Sequence, residues 1–552
     1  MQVIFLDIET TGLDPLSCDI VTVQLLTESG ELIIMQDPES LEHLKSKLEN
    51  NLIVGHNLKF DLKFLKHRFG ITPQAVYDTY LAEIVLSGGV YVGKKDTVGL
   101  KDLVLRYCGK HLDKTEQTGF QKGASLTPAQ VEYCLNDLQF LPEIVKQQRA
   151  KIKLKGLERT IDIEMKALPA IIWLELSGIC VDTHRLSELQ ALIKIRKSEA
   201  EEKLYKAFGT TEINLNSTKQ LKTVLNSIGI PVKNTAAEEL AKHDSPVIKI
   251  LLEYKEAEKL LNSFVEKLSE YINGNTGRVH ADFFQIGAKS GRLSCKNPNL
   301  QQQPSKVLPE WRTVFKAGPG NVFVIADYSQ IELRIIAQVS QDPEYIKAFN
   351  EGSDLHKLTA SKVFGKPLNA VGKEERSIAK TVNFGIAYGM WSLGLQKKLQ
   401  TSGIEITENE AESIIKTFYD SYPGVSKYLS TASTKALATF ELTNLAGRLI
   451  KFERPADENE KRRIKREAKN LPIQSLCADM VKIAMHAIYT ELEPQAVQFV
   501  NTVHDELVFE CTEAQAARVK EVVNTEMKRA AALFLKDVPC VVDIAVSSTW
   551  EK

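Results

Sequence analysis

The stretch Val322-Phe-Val-Ile-Ala-Asp327-Tyr-Ser-Gln-Ile-Glu332-Leu-Arg334 begins as an apolar, β-favouring run and breaks at an aspartate. Ile331, Arg334, Ile335 and Gln338 then recur at helical spacing, so a strand is expected to hand over to a helix just past Asp327. An apolar strand ending on an acid holds a carboxylate rigidly at the floor of a cleft. Far downstream, Phe499-Val-Asn-Thr-Val-His504-Asp505-Glu506-Leu-Val-Phe509 reads as two short strands joined by a polar, acidic turn. Only a fold can bring Asp327 to Asp505. If it does, two hard oxygen donors converge where Mg²⁺ binds together with a triphosphate. Read singly, each is equally a surface acid after a strand.

A chain of 552 residues is too long for one core, and about 150 residues per domain suggests about three or four domains. Charged residues at 26% and hydrophobic ones at 43% fit a globular protein. No apolar run is long enough to span a bilayer, and the opening MQVIFLDIETT has no basic leader, so neither a membrane span nor a targeting segment is expected. The eight cysteines form no C-x-x-C pair, which argues against structural zinc and for a reducing compartment. A net charge of −1 gives no global attraction to nucleic acid, so any such binding must come from local clusters.

The first 150 residues carry acidic chemistry of their own. In the expected strand Gln2–Ile8 a period of two puts Asp7 and Glu9 on one face, opposite Ile4, Leu6 and Ile8. A second strand at Leu52 runs into a helical stripe, Leu58, Asp61, Leu62 and Leu65, with an acid among apolar residues. Thr127, Pro128 and Gln130 spell a capping-box start, after which Tyr133 and Asp137 lie at i and i+4 on one face. Each piece alone is weak, since a Tyr/Asp pair at this spacing is usually a solvated face. In this order they resemble the D-x-E, N-x-x-x-D and Y-x-x-x-D motifs of DnaQ-like 3′→5′ proofreading exonucleases. That resemblance implies metal ligation by Asp7, Glu9, Asp61 and Asp137, with Tyr133 positioning the attacking water.

From about 151 to 280 the pattern is helical, with a long helix over Leu157–Leu176. Residues 284–304 read as a polar, amide-rich loop in which Arg292 follows a glycine. Amide and guanidinium donors there suit minor-groove acceptors, and a plain surface loop is the alternative. In the helix through Lys373 to Gly389, Arg376, Lys380, Phe384 and Tyr388 are spaced by four, so they drift only ~40° per step and share a stripe. Two cations followed by two aromatics suit a ligand with phosphates at one end and a flat base at the other. Lys461-Arg-Arg-Ile-Lys-Arg466 through to Gln474 reads as a basic helix start whose last residues include the amides Asn470 and Gln474, with a solvated basic face as the alternative.

D-Y-S-Q-I-E-L-R at 327–334, R-x-x-x-K-x-x-x-F-G-x-x-Y-G at 376–389 and V-H-D-E at 503–506 resemble the A, B and C motifs of family A DNA polymerases, the family of bacterial DNA polymerase I. The resemblance implies an α/β and α+β multidomain chain: a DnaQ/RNase H-like exonuclease domain followed by a right-hand polymerase of palm, fingers and thumb. The expected divisions are exonuclease 1–150, thumb and start of palm 151–285, palm 286–340, fingers 341–455 and palm again 456–552. No 5′-nuclease domain is expected ahead of the first strand.

Carried over residue by residue, the resemblance assigns two metal ions to Asp327 and Asp505, with Glu506 beside them. Arg376 and Lys380 would take the triphosphate, with Lys380 also placed as general acid for pyrophosphate and His356 touching the phosphates. Phe384 and Tyr388 would border the nascent pair, and Glu332 would exclude a ribose 2′-hydroxyl. Phenylalanine at 384 implies discrimination against dideoxynucleotides. Arg292, Arg466, Asn470, Gln474 and His504 would contact primer–template DNA. The cofactor expected is Mg²⁺, two ions at each site, with Mn²⁺ as a substitute. The partners expected are primer–template DNA and deoxynucleoside triphosphates, for a monomer in bacterial or phage-infected cytoplasm with no membrane contact. Two rival classes, a nuclease whose C-terminal part only grips DNA and a non-catalytic DNA-binding factor, differ from a polymerase in whether a primer shortens, stays or lengthens.

Overall fold

A computed structural model of the chain describes residues 2–39, 41–94, 97–112, 119–492, 494 and 496–551. The alternation at the N-terminus forms β1 (Val3–Thr10), the middle strand of a five-stranded mixed sheet. β2 (Ile20–Thr27) and β3 (Leu32–Gln36) continue it antiparallel on one side, and β4 (Leu52–Gly55) and β5 (Ala75–Asp78) continue it parallel on the other. Ile4, Leu6 and Ile8 enter the core, leaving Asp7 and Glu9 half-buried on the opposite face. α1 (Lys59–Phe69) buries Leu62 and Leu65 and carries Asp61 inward with them. α2 (Pro128–Gln139) starts at the expected capping box: Gln130 N donates to Thr127 Oγ1 at 3.2 Å and Thr127 N to Gln130 Oε1 at 3.0 Å.

α3 (Glu158–Ser177) is apolar almost all round because it is a wall shared by two cores. Ile161, Met165, Leu168 and Ile172 complete the core of the first sheet, while Ile163, Ala167, Ile171 and Leu174 belong to the large core of the remainder. The division expected at 150 falls inside the helix Leu141–Lys155, and the first core reaches past it to Ile172.

The second sheet is antiparallel throughout. Its strands β6 (Asn321–Tyr328), β7 (Gln498–Val503), β8 (Glu506–Thr512) and β9 (Val542–Ser547) lie in the order β7-β8-β6-β9. As an inner strand, β6 fully buries Phe323, Val324, Ile325 and Ala326, which explains its unbroken apolar run. α4 (Ile331–Ser340) follows it at once. Helices Thr183–Phe208 and Pro246–Leu260 pair into an arm with its own small core around Leu204, Leu221 and Leu251. Residues 343–439 are largely helical and include α5 (Lys373–Ala387).

One local expectation changes and another is extended. The loop at 284–304 carries a short hairpin, Asp282–Phe284 with Ser294–Lys296. The basic segment at 461 is a helix start, as expected, and the helix continues past its amides. It is the start of α6 (Glu458–Glu491), which runs on through Pro472 because Ile473, Leu476, Met480 and Val481 are buried beyond it. That burial outweighs the hydrogen bond the proline forgoes.

Candidate active sites

At the first site the strand period and the helix period meet. Asp7 and Glu9 leave β1 on the face covered by α2, and Asp7 accepts from Gln24 Nε2, its register partner on β2, at 3.1 Å. α2 delivers Tyr133 and Asp137, both buried, one turn apart. Carboxylate oxygens of Asp7, Glu9 and Asp137 lie within 4.8 Å of one another. Asp61 enters from α1 and accepts from Ile8 N at 3.1 Å. Burial, and then the charge of Asp7, push the Asp61 carboxyl well above the usual carboxylate range. Burial, with Asp137, Glu9 and Asp7 around it, likewise pushes the Tyr133 phenol up. Four acids gathered at one place form a donor set of hard oxygens suited to divalent cations. All five residues expected at this site are brought together.

The second site lies where β6 ends. Asp327 stands in register opposite Glu506, the residue after Asp505 in the tight turn between β7 and β8. His504 opens that turn at φ +58°, and Tyr328 N donates to Asp505 O at 3.5 Å. The Asp505 carboxyl is pushed up to about 7 by burial and then by the Asp327 charge. The two acids, remote in sequence, are therefore neighbours. Glu506 takes another direction: its Oε1 accepts from Trp550 Nε1 at 2.7 Å, and its Oε2 lies 3.6 Å from Arg312. No sequence motif pointed to Trp550 or Arg312, and only the fold supplies these contacts.

Glu332, in the first turn of α4, is a hub. One oxygen takes Arg292 Nη2 at 2.5 Å and the other takes the Tyr388 hydroxyl. Gln474 reaches the same hydroxyl from α6, and His504 sits beside Arg292 and Glu332, its imidazole pKa lowered chiefly by burial. Asn470 holds a buried Oδ1 with no partner, and Arg466 packs on Gly389, where an added Cβ would lie 2.9 Å from Arg466 Cγ.

α5 turns Ile378, Ala379, Val382 and Ile386 to the core, so Arg376, Lys380, Phe384 and Tyr388 occupy its open face, as the spacing predicts. From Arg376 to Tyr388 the stripe runs about 18 Å, and its tyrosine end is the one joined to Glu332. Arg376 Nε donates to Asp354 Oδ2 at 2.7 Å. His356 is buried beside Phe384, with ring centroids 5.7 Å apart, and its Nδ1 takes Asn383 Nδ2 at 2.9 Å. Burial holds that imidazole down at about 4.

Two family models match the chain, one over each of its two sheets. The family model described as 3′-5′ exonuclease matches residues 1–153, and the one described as DNA polymerase family A matches residues 183–552. DNA polymerase I of Aquifex aeolicus is 31% identical, covering 100% of this chain and 96% of that protein. DNA polymerase I of Pseudomonas aeruginosa is 32% identical over 100% of this chain, which spans 64% of that protein's length. The solved POL domain of Pol1 from M. smegmatis, in complex with DNA primer-template and dNTP, superposes with a TM-score of 0.86 at 27% identity, covering 99% of this chain and 95% of that one. Divalent metals are general to both families, which fits the two acidic sites. Among the described residues no helix is long and apolar enough to cross a membrane. The chain belongs to DNA polymerase family A, joining DNA synthesis to 3′-5′ exonucleolytic proofreading.

Proposed function

We propose that Asp327 and Asp505 hold two Mg²⁺ ions for synthesis, and that Asp7, Glu9, Asp61 and Asp137 hold two more for proofreading, Mn²⁺ serving in their place. Bound there, such ions supply charge neutralisation on phosphate and a more acidic nucleophile. The observation that carries the reading is the polarity of α5: cations at one end, aromatics at the other, with the aromatic end fixed beside Asp505 through Glu332.

Each side chain then has a task of its own. Arg376 and Lys380 grip the triphosphate of an incoming deoxynucleotide, and Lys380 gives a proton to departing pyrophosphate. His356 is neutral at ordinary pH. Since Nδ1 accepts from Asn383, its proton sits on Nε2, so it offers the phosphates a hydrogen bond and no charge. Tyr388 and Phe384 border the new base pair, and Glu332 fills the space a 2′-hydroxyl would need. Phe384 has no hydroxyl to replace a missing 3′-OH and so disfavours dideoxynucleotides; equal incorporation of dideoxy and deoxy substrates contradicts this. Arg292, Arg466, Asn470, Gln474 and His504 line the path of the primer–template. Glu506 supports the site from its place on Trp550. At the other site Tyr133 orients the attacking water among the acids.

The DNA and nucleotide bound to the M. smegmatis neighbour support these partners. The bacterial relatives support a cytoplasmic setting, and the chain is read as a monomer with no membrane contact, divided as thumb to 285, palm to 340, fingers to 455 and palm thereafter. One end-labelled primer–template tests the core of this reading. The primer lengthens with deoxynucleotides and shortens without them. A primer that only shortens, or never changes, overturns it.

A further inference from the structure

Behind the second site lies a cluster of charges that the reactions above do not use. Glu164 on α3 and Lys482 and Asp479 on α6 are fully buried, and Arg448, from the hairpin at 441–451, is nearly so. Lys482 Nζ lies 2.7 and 2.9 Å from the two Glu164 oxygens, and Arg448 Nη2 lies 2.5 Å from both Glu164 and Asp479. Two acids and two bases balance, as burial of charge demands. The balance alone does not explain why the cluster is here.

Its remaining contacts do. Lys482 Nζ also donates to the carbonyl of Gly291 at 2.7 Å, and Arg448 lies flat against Gly291, where an added Cβ would sit 3.0 Å from the guanidinium carbon. Gln285 Nε2 donates to the backbone and side-chain oxygens of Glu164, each at 2.6 Å. Gln285 and Gly291 bracket one closed turn, in which Gly287 N and Ala288 N donate to Arg292 O at 3.0 and 3.2 Å. One end of the turn is thus fastened to Glu164 directly and the other through Lys482, and the residue at its exit is Arg292, which holds Glu332.

We infer that Glu164 and Lys482 are positioning residues for Arg292. They fix the turn from α3, the helix shared with the exonuclease core, and from α6, and so set where the guanidinium meets Glu332 and the primer. This rests on the role given to Arg292 above. Loss of the pair lets the turn shift, and a shift of the guanidinium loosens Glu332, the residue that excludes ribose.

The test uses the full chain and four forms: wild type, Arg292→Ala, Glu164→Gln with Lys482→Met, and all three changes together. The paired change leaves Arg448 with Asp479, so no buried charge is stranded. Single-nucleotide insertion gives kcat and KM for a deoxy- and the matching ribonucleotide. The paired change lowers deoxy-over-ribo preference by roughly three- to thirtyfold and adds less than about twofold to Arg292→Ala, because it acts through Arg292. Digestion of single-stranded DNA stays at the wild-type rate and reports that the chain is folded. Wild-type preference in the paired variant, or effects that multiply on Arg292→Ala, overturns the inference. An Arg292→Ala chain with unchanged selectivity removes the role of Arg292 instead. Should the paired variant not fold, Gly291→Ala displaces the same turn with every charge in place. It must then show the same loss and the same dependence on Arg292, and a wild-type result with it overturns the inference.

Discussion

The hydroxyl of Tyr388 donates to the carboxylate of Glu332, tying the end of α5 to the first turn of α4. Glu332 is held from its other side by Arg292, so it is a fixed wall and not a mobile surface acid. Exclusion of a 2′-hydroxyl by such a wall depends on volume more than on charge. Glu332→Ala is therefore expected to raise ribonucleotide incorporation about a hundredfold relative to deoxynucleotide, while Glu332→Gln stays near wild type. The measurement is kcat/KM for matched ribo- and deoxynucleotides. Equal permissiveness in the two variants would show that charge is what excludes ribose.

The two acidic sites draw on separate acids beside separate sheets, so they are expected to fail independently. Asp327→Ala is expected to abolish primer extension, by at least about a thousandfold, while single-stranded digestion continues. Asp7→Ala with Glu9→Ala gives the reverse pattern. A chain that keeps its thermal unfolding profile yet loses both activities through either change rules out two independent sites.

Trp550, fully buried two residues before Lys552, spends its one donor on Glu506. Trp550→Phe keeps an aromatic in the same space beside Phe315 and takes that donor away, leaving a buried carboxylate with Arg312 at 3.6 Å. The expected cost is about 1–3 kcal/mol of stability, seen as a lower Tm, with a slower kcat for insertion and unchanged digestion of single strands. An unchanged kcat in the folded variant would mean that the orientation of Glu506 is irrelevant to synthesis.

Much of this was legible in the sequence where local periodicity carries the information. The strand before Asp327 follows from an unbroken apolar run, the hairpin around Asp505 from two short strands about a polar turn, the Thr127 capping box from a spacing of three and the open face of α5 from a spacing of four. The hairpin at 282–296 was hidden because strands of three residues are too short for alternation to register. The shared wall α3 showed as a helix, but nothing local says which core each of its faces serves. Trp550 on Glu506, Arg292 on Glu332 and Lys482 under Gly291 join residues 40 or more positions apart, so no window along the chain contains both partners. Lys482, a cation within the apolar run after Pro472, was the one visible sign of the last of these.

His356 supplies a test of pH dependence. It is buried against Phe384, with Asp354 favouring its charged form and Arg376 and Lys380 opposing it. Burial is the largest influence, and its pKa falls from 6.5 to about 4. The folded state thus prefers the neutral ring. The stability this gives is fully present above the unfolded value near 6.5 and is lost as pH falls towards the folded value near 4. The full cost is on the order of 3 kcal/mol. His356→Gln keeps an acceptor for Asn383 and cannot take up a proton. Wild type and variant are therefore expected to draw apart on acidification, with the wild-type Tm falling further between pH 7 and pH 4.5. Carboxylates elsewhere titrate in both chains and cancel in the difference. A Tm gap that is the same at the two pH values would mean that the ring is charged, or accessible to water, in the folded protein. The neutral hydrogen-bonding role given to it at the triphosphate would then be lost.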